Sequence, residues 1–158
     1  MSIEKVKQYF KQFSLENKIK EFPVSSATVD LAAKALNCQP CRIAKSLSFK
    51  IADDKAVIVV AAGDVRVDNK KFKNFFQKKL KMLSGNEVKD FTGHEIGGVC
   101  PFAINNGVDV YLDISLKRFD TVFPACGSSN SAIELTMEEL EKYSSNFKQW
   151  IDVCCQPK

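Results

Sequence analysis

Two adjacent runs carry the clearest pattern of apolar and polar positions in the chain. In IAKSLSFKI, residues 43–51, side chains alternate between two faces. Lys45, Leu47, Phe49 and Ile51 share one row, and Ala44, Ser46, Ser48 and Lys50 share the other. Beyond the polar turn Asp53-Asp54-Lys55 comes AVIVVAAG, apolar almost throughout, which predicts a strand covered on both faces. One residue of the first strand breaks the pattern: Lys45 lies in the apolar row, where an unpaired ammonium is costly. Either it snorkels to water at the strand's edge, or it is held in a pocket to meet an anionic or carbonyl ligand.

Helical periodicity flanks these strands. Ser2 is placed to cap a first helix with Ile3, Val6, Phe10 and Phe13 inward and lysines outward. IKEFPV reads as a strand, and Thr28 opens a second helix with Val29, Ala32, Ala33 and Leu36 inward and Asn37 as its left-handed cap. Asp68 caps a helix expected to run to Lys81, with Phe72, Phe75, Phe76 and Leu80 as its inner stripe. The pattern is loop-like through FTGHEIGGVCPF, then predicts a strand in VDVYLD, a short helix at ISLKRF, and strands in TVFPACG and SAIEL. Thr136 with Glu139 forms a capping box for the last helix. These elements predict an α/β (α+β) fold, a mixed β-sheet or partly closed barrel flanked by helices, in a single domain over residues 1–158.

Composition narrows the class. Apolar residues are 45% and charged residues 27% of 158, the balance of a folded globular chain. No stretch has the apolar length of a membrane helix, and MSIEKVKQYF lacks the hydrophobic block of a secretion signal, so a cytoplasmic protein is expected. Six cysteines without other marks of export are expected to be reduced thiols. A net charge of +4 is too mild to declare a nucleic-acid binder, but its distribution is uneven. Lys70, Lys71, Lys73, Lys78, Lys79 and Lys81 cluster with no acidic residue between Asp68 and Glu87, a pattern that suits phosphates as well as a solvated face.

Four other places could carry chemistry. Adjacent glycines in GGVCPF, residues 97–102, let a ligand approach main-chain N–H groups, and Pro101 stiffens the exit; a plain glycine turn is the bland alternative. CQPC, residues 38–41, resembles half a metal site or a redox pair, but no second well-spaced pair exists and the strand-then-helix order of a thioredoxin-like pair is reversed, so no metal is expected. His94, the sole histidine, would have to serve any Ser-His-Asp or Cys-His system, and its Gly-flanked loop predicts an exposed side chain instead. Asp113, ending VYLD, either orients a group in a pocket or caps the strand's end.

In order and spacing, IAKSL, GGVCPF, VYLD and ACGSSNSAIEL resemble the YbaK family of aminoacyl-tRNA deacylases, which is itself similar to the editing domain of bacterial prolyl-tRNA synthetases. The resemblance runs over essentially the whole chain. It implies hydrolysis of the ester joining a wrong amino acid to the tRNA 3′ end, without a metal or other cofactor and with help from the free hydroxyl of the terminal ribose. Lys45 matches the family's pocket lysine, and Gly97 to Pro101, with Gly98, match its Gly-x-x-x-Pro loop, whose main chain would position ester and water. Ser46, Val99, Cys100 and Asp113 are expected around the substrate, and the late loop Gly127, Ser128 and Ser129 at the border of the amino-acid pocket. Cys100 stands at a variable position of the loop, and Ala125 and Ala132 stand where some relatives carry polar side chains, so selectivity does not carry over. A synthetase discriminates poorly against amino acids smaller than or isosteric with its own, which points to alanine, serine, cysteine or threonine esters, with tRNA-Pro as a candidate carrier. The expected partners are the acceptor end of charged tRNA, held by the Lys70–Lys81 cluster, and a synthetase. A tRNA- or synthetase-binding module of the same fold, without chemistry, is the competing reading.

Overall fold

A computed structural model describes residues 2–156. The AVIVVAA run becomes a strand at the heart of the molecule, with every residue from Ala56 to Ala62 fully buried, as expected of an apolar strand covered on both faces. In chain order the elements are α1 (Ser2–Lys11), β1 (Lys20–Glu21), α2 (Val29–Leu36), β2 (Ile43–Ala52), β3 (Lys55–Ala62), β4 (Arg66–Val67), α3 (Asn69–Phe76), α4 (Gly85–Thr92), β5 (Asp109–Asp113), β6 (Thr121–Pro124), β7 (Ser131–Ala132), β8 (Leu135–Thr136), α5 (Met137–Tyr143), β9 (Phe147–Ile151) and β10 (Cys154–Cys155). Short 3-10 turns lie at Pro40–Arg42 and Ile114–Arg118.

Six strands form the main sheet in the order β8-β6-β2-β3-β5-β9, curled into a half barrel. The pairs β2/β3 and β6/β8 are antiparallel, whereas β2/β6, β3/β5 and β5/β9 are parallel. This is the mixed sheet with flanking helices that the pattern predicts. Two small antiparallel pairs, β1/β7 and β4/β10, tie the loops down around it. α1 is held by Val6 and Phe10, both fully buried, and the Phe10 ring meets Phe102 at 4.7 Å between centroids. That contact places α1 directly behind the loop that ends in Cys100-Pro101-Phe102.

Several predicted elements have different limits. α3 stops at Phe76 because Gln77 takes the left-handed conformation, φ 58°, and closes the helix. Lys78, Lys79, Leu80 and Lys81 are therefore not helical: the segment is drawn along the free edge of β2, where Lys50 N donates to Lys81 O at 2.8 Å and Leu83 N to Ser48 O at 3.2 Å. Phe75, assigned to the inner stripe, is 39% exposed and packs edge-on to Phe76 and Tyr111. Phe13 lies beyond the end of α1 and is also partly exposed. Ser2 sits in the first turn of α1, and its hydroxyl donates to the Gly127 carbonyl. IKEFPV contributes only the two residues of β1, and SAIEL splits into β7 and β8 around the buried Ile133.

α4 occupies part of the region that reads as loop. Ser84 and Glu87 form a capping box there, and Glu87 also pairs with Lys50 at 2.8 Å, fastening α4 to β2. Lys50 and the helix-start hydrogen bonds together pull the Glu87 carboxyl down to about 2. The cap at Thr28, the left-handed Asn37 and the Thr136/Glu139 box are all present as the residue types dictate.

Candidate functional site

The hydrogen-bonding ladder of the half barrel is interrupted along one edge of β2, beside residues identified from the sequence. β6 pairs with β2 only at Ile43/Phe123 and Ala44/Pro124, while the segment after Lys81 rejoins β2 at Ser48 and Lys50. Main-chain groups of a strand alternate between its two edges, so the N–H and C=O of Ser46 face the same edge as those of Ser48 and Lys50. Among the described residues no strand lies opposite Ser46 on that side. Its hydroxyl is also buried without a hydrogen-bond partner among the described residues.

A cavity of about 420 Å³ opens at this gap. The β2 residues from Ile43 to Ser48 line it, together with Thr28, Val29 and Ala32 at the start of α2. From the glycine loop come Ile96, Gly97 and Val99, and from the late segment Phe123, Ala125, Ser131 and Ala132. The lining is small and apolar, with a few hydroxyls, and Lys45 is the one charged residue among the described residues that line it. A cavity of this size and character fits a small side chain plus a few polar atoms that fix its orientation.

Lys45 does not snorkel to bulk water. Its side chain is half-buried, and Nζ donates to the main-chain carbonyl of Val65, between β3 and β4. Burial lowers the ammonium's pKa, while the nearby Cys154 and Asp64 act in the opposite direction. The anomalous strand row thus places a lysine in the lining of a cavity, with its amine held by a backbone acceptor.

The glycine motif is shaped by close backbone approach. Gly97 has φ 91°, a left-handed conformation that disfavours other residues, and it reaches the cavity. At Gly98 a Cβ would stand 2.8 Å from both Gly127 C and Ser128 N. The two loops therefore pack backbone to backbone, and Gly98 is needed for that contact. The Gly98 amide is committed to Glu95 O at 3.0 Å, which leaves Gly97 and Val99 as the members of the motif that line the cavity. Pro101 is buried, and its carbonyl accepts from Ser145 N at 2.7 Å.

The structure brings Lys45, Ser46, Gly97 and Val99 around one cavity. Gly98, Cys100, Pro101, Asp113, Gly127, Ser128 and Ser129 lie outside its lining. Gly127, Ser128 and Ser129 support it from behind: Gly127 presses on α1, the Ser128 hydroxyl bonds Asn130 and Ser131, and Ser129 O accepts from Ser26 N at 2.6 Å. Ser131, Ala132, Ala125 and the α2 start reach the cavity instead. Asp113 is buried, with one carboxylate oxygen accepting from Ser115 N at 2.9 Å and the other from Val153 N at 3.0 Å. Cys100 is fully buried, and burial pushes its thiol up to about 12. Sequence periodicity puts Val29 and Ala32 on the inner face of a helix but carries no signal that they, or Met82 and Leu83, line a cavity, which they reach only through tertiary placement.

His94 is fully buried, contrary to the exposed side chain its glycine-flanked loop suggested. Its Nε2 lies 2.8 Å from Phe102 O and 3.5 Å from Cys100 Sγ, and Nδ1 has no partner among the described residues. Burial lowers its pKa. The ring pins the exit of the glycine loop from inside. Cys38 and Cys41 are free thiols, and no group of three or more His, Cys, Asp or Glu among the described residues is placed to hold a metal ion. No helix among them is long and apolar enough to cross a membrane.

The basic cluster is divided. Lys70, Lys71 and Lys73 lie on α3, where Lys71 is engaged by Asp152 and Cys154 O, both at 3.0 Å. Lys78, Lys79 and Lys81 instead line a second, more open cavity with Lys50 and Asp53. That cavity adjoins the first along the chain, since Met82 and Leu83 line the Lys45 cavity.

Known proteins are similar in sequence and in overall fold. A Bacillus subtilis (strain 168) protein, the uncharacterized YwhH, is 56% identical over 98% of both chains. The proline–tRNA ligase of Bacillus licheniformis is 32% identical over 59% of this chain, a match that spans 16% of the ligase. Among solved structures, one described as a candidate trans-editing enzyme for prolyl tRNA synthetase superposes with a TM-score of 0.85 at 27% identity, covering 99% of this chain and 98% of that one. The hypothetical protein APE2540 superposes with a TM-score of 0.83 at 26% identity over 96% and 99%. Residues 24–143, which hold Lys45, the glycine loop and the late loop, match the family profile described as the aminoacyl-tRNA editing domain, and the chain belongs to that family.

Proposed function

We propose that this protein hydrolyses the ester of mischarged aminoacyl-tRNA carrying a small amino acid. The observation that carries the reading is Lys45, the one charged residue among the described residues of the lining, sharing a small, largely apolar cavity with Gly97 of the glycine loop and the open edge of β2. An ammonium has three donors, and Val65 O takes one, which leaves two for the phosphate or acyl oxygen of the tRNA terminus. Water adds to the ester carbonyl, the tetrahedral oxyanion collapses, and the ribose 3′-oxygen leaves with a proton, giving free amino acid and uncharged tRNA. Main-chain groups of Gly97 and Val99 lie where they can orient the acyl group and stabilise developing charge. Assistance to proton transfer falls in this reading to the adjacent ribose hydroxyl, in keeping with the burial of His94 and Cys100 outside the cavity lining.

Ala125 and Ala132 in the lining leave room for small side chains without offering a polar group to reject alanine. Alanine, serine, cysteine and threonine esters are the substrates in question, on tRNA-Pro in particular, in the cytoplasm where charging takes place. The acceptor stem runs past Lys78, Lys79 and Lys81, whose cavity adjoins that of Lys45. A prolyl-tRNA synthetase is the partner that would supply the mischarged substrate. The test is a panel of tRNAs charged with alanine, serine, cysteine, threonine or proline, incubated with purified protein. Faster release of one of the small amino acids than of proline supports the reading. Binding of the charged tRNAs without hydrolysis of any would replace it with that of a binding module.

A further inference from the structure

Asp64 lies outside the cavity, yet it adjoins the point where the Lys45 ammonium is held, and Arg118 grips it there. Val65 O, the acceptor for Nζ, is the residue next to Asp64 in the turn between β3 and β4. Arg118, from the 3-10 turn after β5, grips both oxygens of Asp64, Nη1 to Oδ2 at 3.0 Å and Nη2 to Oδ1 at 2.6 Å. Such a two-point contact fixes the carboxylate's plane as well as its place.

The 3-10 turn is itself anchored. Arg118 Nε donates to Ser115 O at 2.8 Å, and the Ser115 hydroxyl accepts from Ala62 N at 3.1 Å, at the end of β3. Asp113 holds Ser115 N at 2.9 Å and Val153 N at 3.0 Å. A continuous set of hydrogen bonds therefore runs from the buried Asp113 through Ser115 and Arg118 to Asp64, and ends at the turn that receives Lys45.

We infer that Asp64, immobilised by Arg118, is a positioning residue for Lys45: it supplies a fixed counter-charge near the ammonium without taking up its hydrogen bonds. This rests on the reading of Lys45 as the substrate-anchoring cation. If Asp64 were free, it could swing onto the ammonium and quench it as an ion pair. With both its oxygens occupied by Arg118, its field acts at a distance and the remaining donors of Lys45 stay open to substrate. Among the described residues, the charged and titratable groups that act on Lys45 are Asp64 on the turn, itself held by Arg118, and the Cys154 thiol on β10 with Asp113 beyond it. Burial works against the protonated amine and Asp64 works for it.

The two members of the pair should therefore move Lys45 in opposite directions. Titration of the Lys45 side chain is followed by NMR of carbon-13 and nitrogen-15 labelled protein, with its signal assigned by absence in Lys45→Met. Asp64→Asn removes the counter-charge and should lower the midpoint of Lys45. Arg118→Gln leaves the carboxylate, now unopposed and mobile, and should raise it. In deacylation at neutral pH, Arg118→Gln should weaken substrate anchoring, seen as a raised KM. Midpoints that are unchanged in both folded variants, or that move in the same direction, overturn the inference. Should Asp64→Asn fail to fold, the Arg118→Gln shift decides, a lowered or unmoved midpoint refuting it. The titration reads Lys45 whether or not the protein hydrolyses charged tRNA, so a failed panel of esters would remove the proposed function and leave this result to stand or fall alone.

Discussion

Gly98→Ala is the most informative single-atom perturbation of the site. Gly98 is not in a left-handed conformation, so its cost arises from contact and not from backbone strain. The added Cβ would lie 2.8 Å from Gly127 C, 2.8 Å from Ser128 N and 2.9 Å from Gly127 O. Favourable separations begin near 3.5 Å, so the loops must part by about 0.7 Å. All three obstructing atoms are main chain, and Gly127 is in turn pressed against Ser2 of α1, so neither side yields easily. Overpacking of this kind costs about 1–3 kcal/mol, which for a chain of this length lowers Tm by roughly 2–12 °C. Displacement of Gly97 by a similar distance should also cost roughly tenfold or more in turnover, since placement errors near 1 Å are expensive. Gly107→Ala is the control: φ is 93° but nothing lies within 4 Å, so it should lose about 1–2 kcal/mol from conformation alone with turnover intact. Thermal melts and single-turnover deacylation of both variants check this. Wild-type stability and turnover in Gly98→Ala would refute the backbone-to-backbone account of the glycine motif.

Other perturbations have equally definite outcomes. Reversing Lys78, Lys79 and Lys81 to glutamate should raise KM for charged tRNA more than it lowers kcat, and by more than reversal of Lys70 and Lys73 on α3; equal loss at saturating substrate would contradict a phosphate-contacting role. Thiol reagents should label Cys38, Cys41 and Cys155 in the folded protein and reach Cys100 and Cys126 only on unfolding, checked by mass spectrometry along a denaturant series. Folding raises the Cys100 thiol from 9.0 to about 12, so the stability it contributes is complete below pH 9 and lost as pH climbs toward 12. His94 has the opposite sign: its pKa is lowered from 6.5, so its contribution is present above that pH and lost as pH falls below it, and His94→Leu should flatten the acid slope of stability measured in urea.

The strand pattern made the spine of the fold legible. Alternation over 43–51 and the unbroken apolar run after it specify β2 and β3, because both depend on burial that repeats every two residues. Capping chemistry was equally readable at Thr28 and Thr136, whose side chains accept from N–H groups of their own helices, and at Asn37, whose left-handed backbone closes α2. What the pattern could not show was where local preference yields to the sheet. The lysine-rich segment after Gln77 has ample helix propensity, yet the open edge of β2 draws it into main-chain pairing at Lys50 and Ser48. α4 carried its own Ser-x-x-Glu signature at Ser84 and Glu87, and the signal was obscured by the glycines that follow it.

The site divides in the same way. Lys45 was conspicuous because a cation in an apolar row demands a reason, and Gly97 because adjacent glycines do. Ser46 drew notice only through resemblance, and the cause of its interest, a missing neighbour strand, exists only once β6 diverges at Pro124. Gly127 to Ser129 were expected at the pocket, and they stand one layer behind it, since Gly98 fills the space between. His94 was misread as exposed because loop composition says nothing about an aromatic core built by α1 beneath it.

Single-turnover hydrolysis of the best small-amino-acid ester by wild type and by Lys45→Ala is the most direct measurement. The account predicts that the variant, folded and with an unchanged melting profile, loses roughly a hundredfold or more in rate, because the one charged side chain among the described residues lining the cavity is gone. Hydrolysis by Lys45→Ala at the wild-type rate would contradict it.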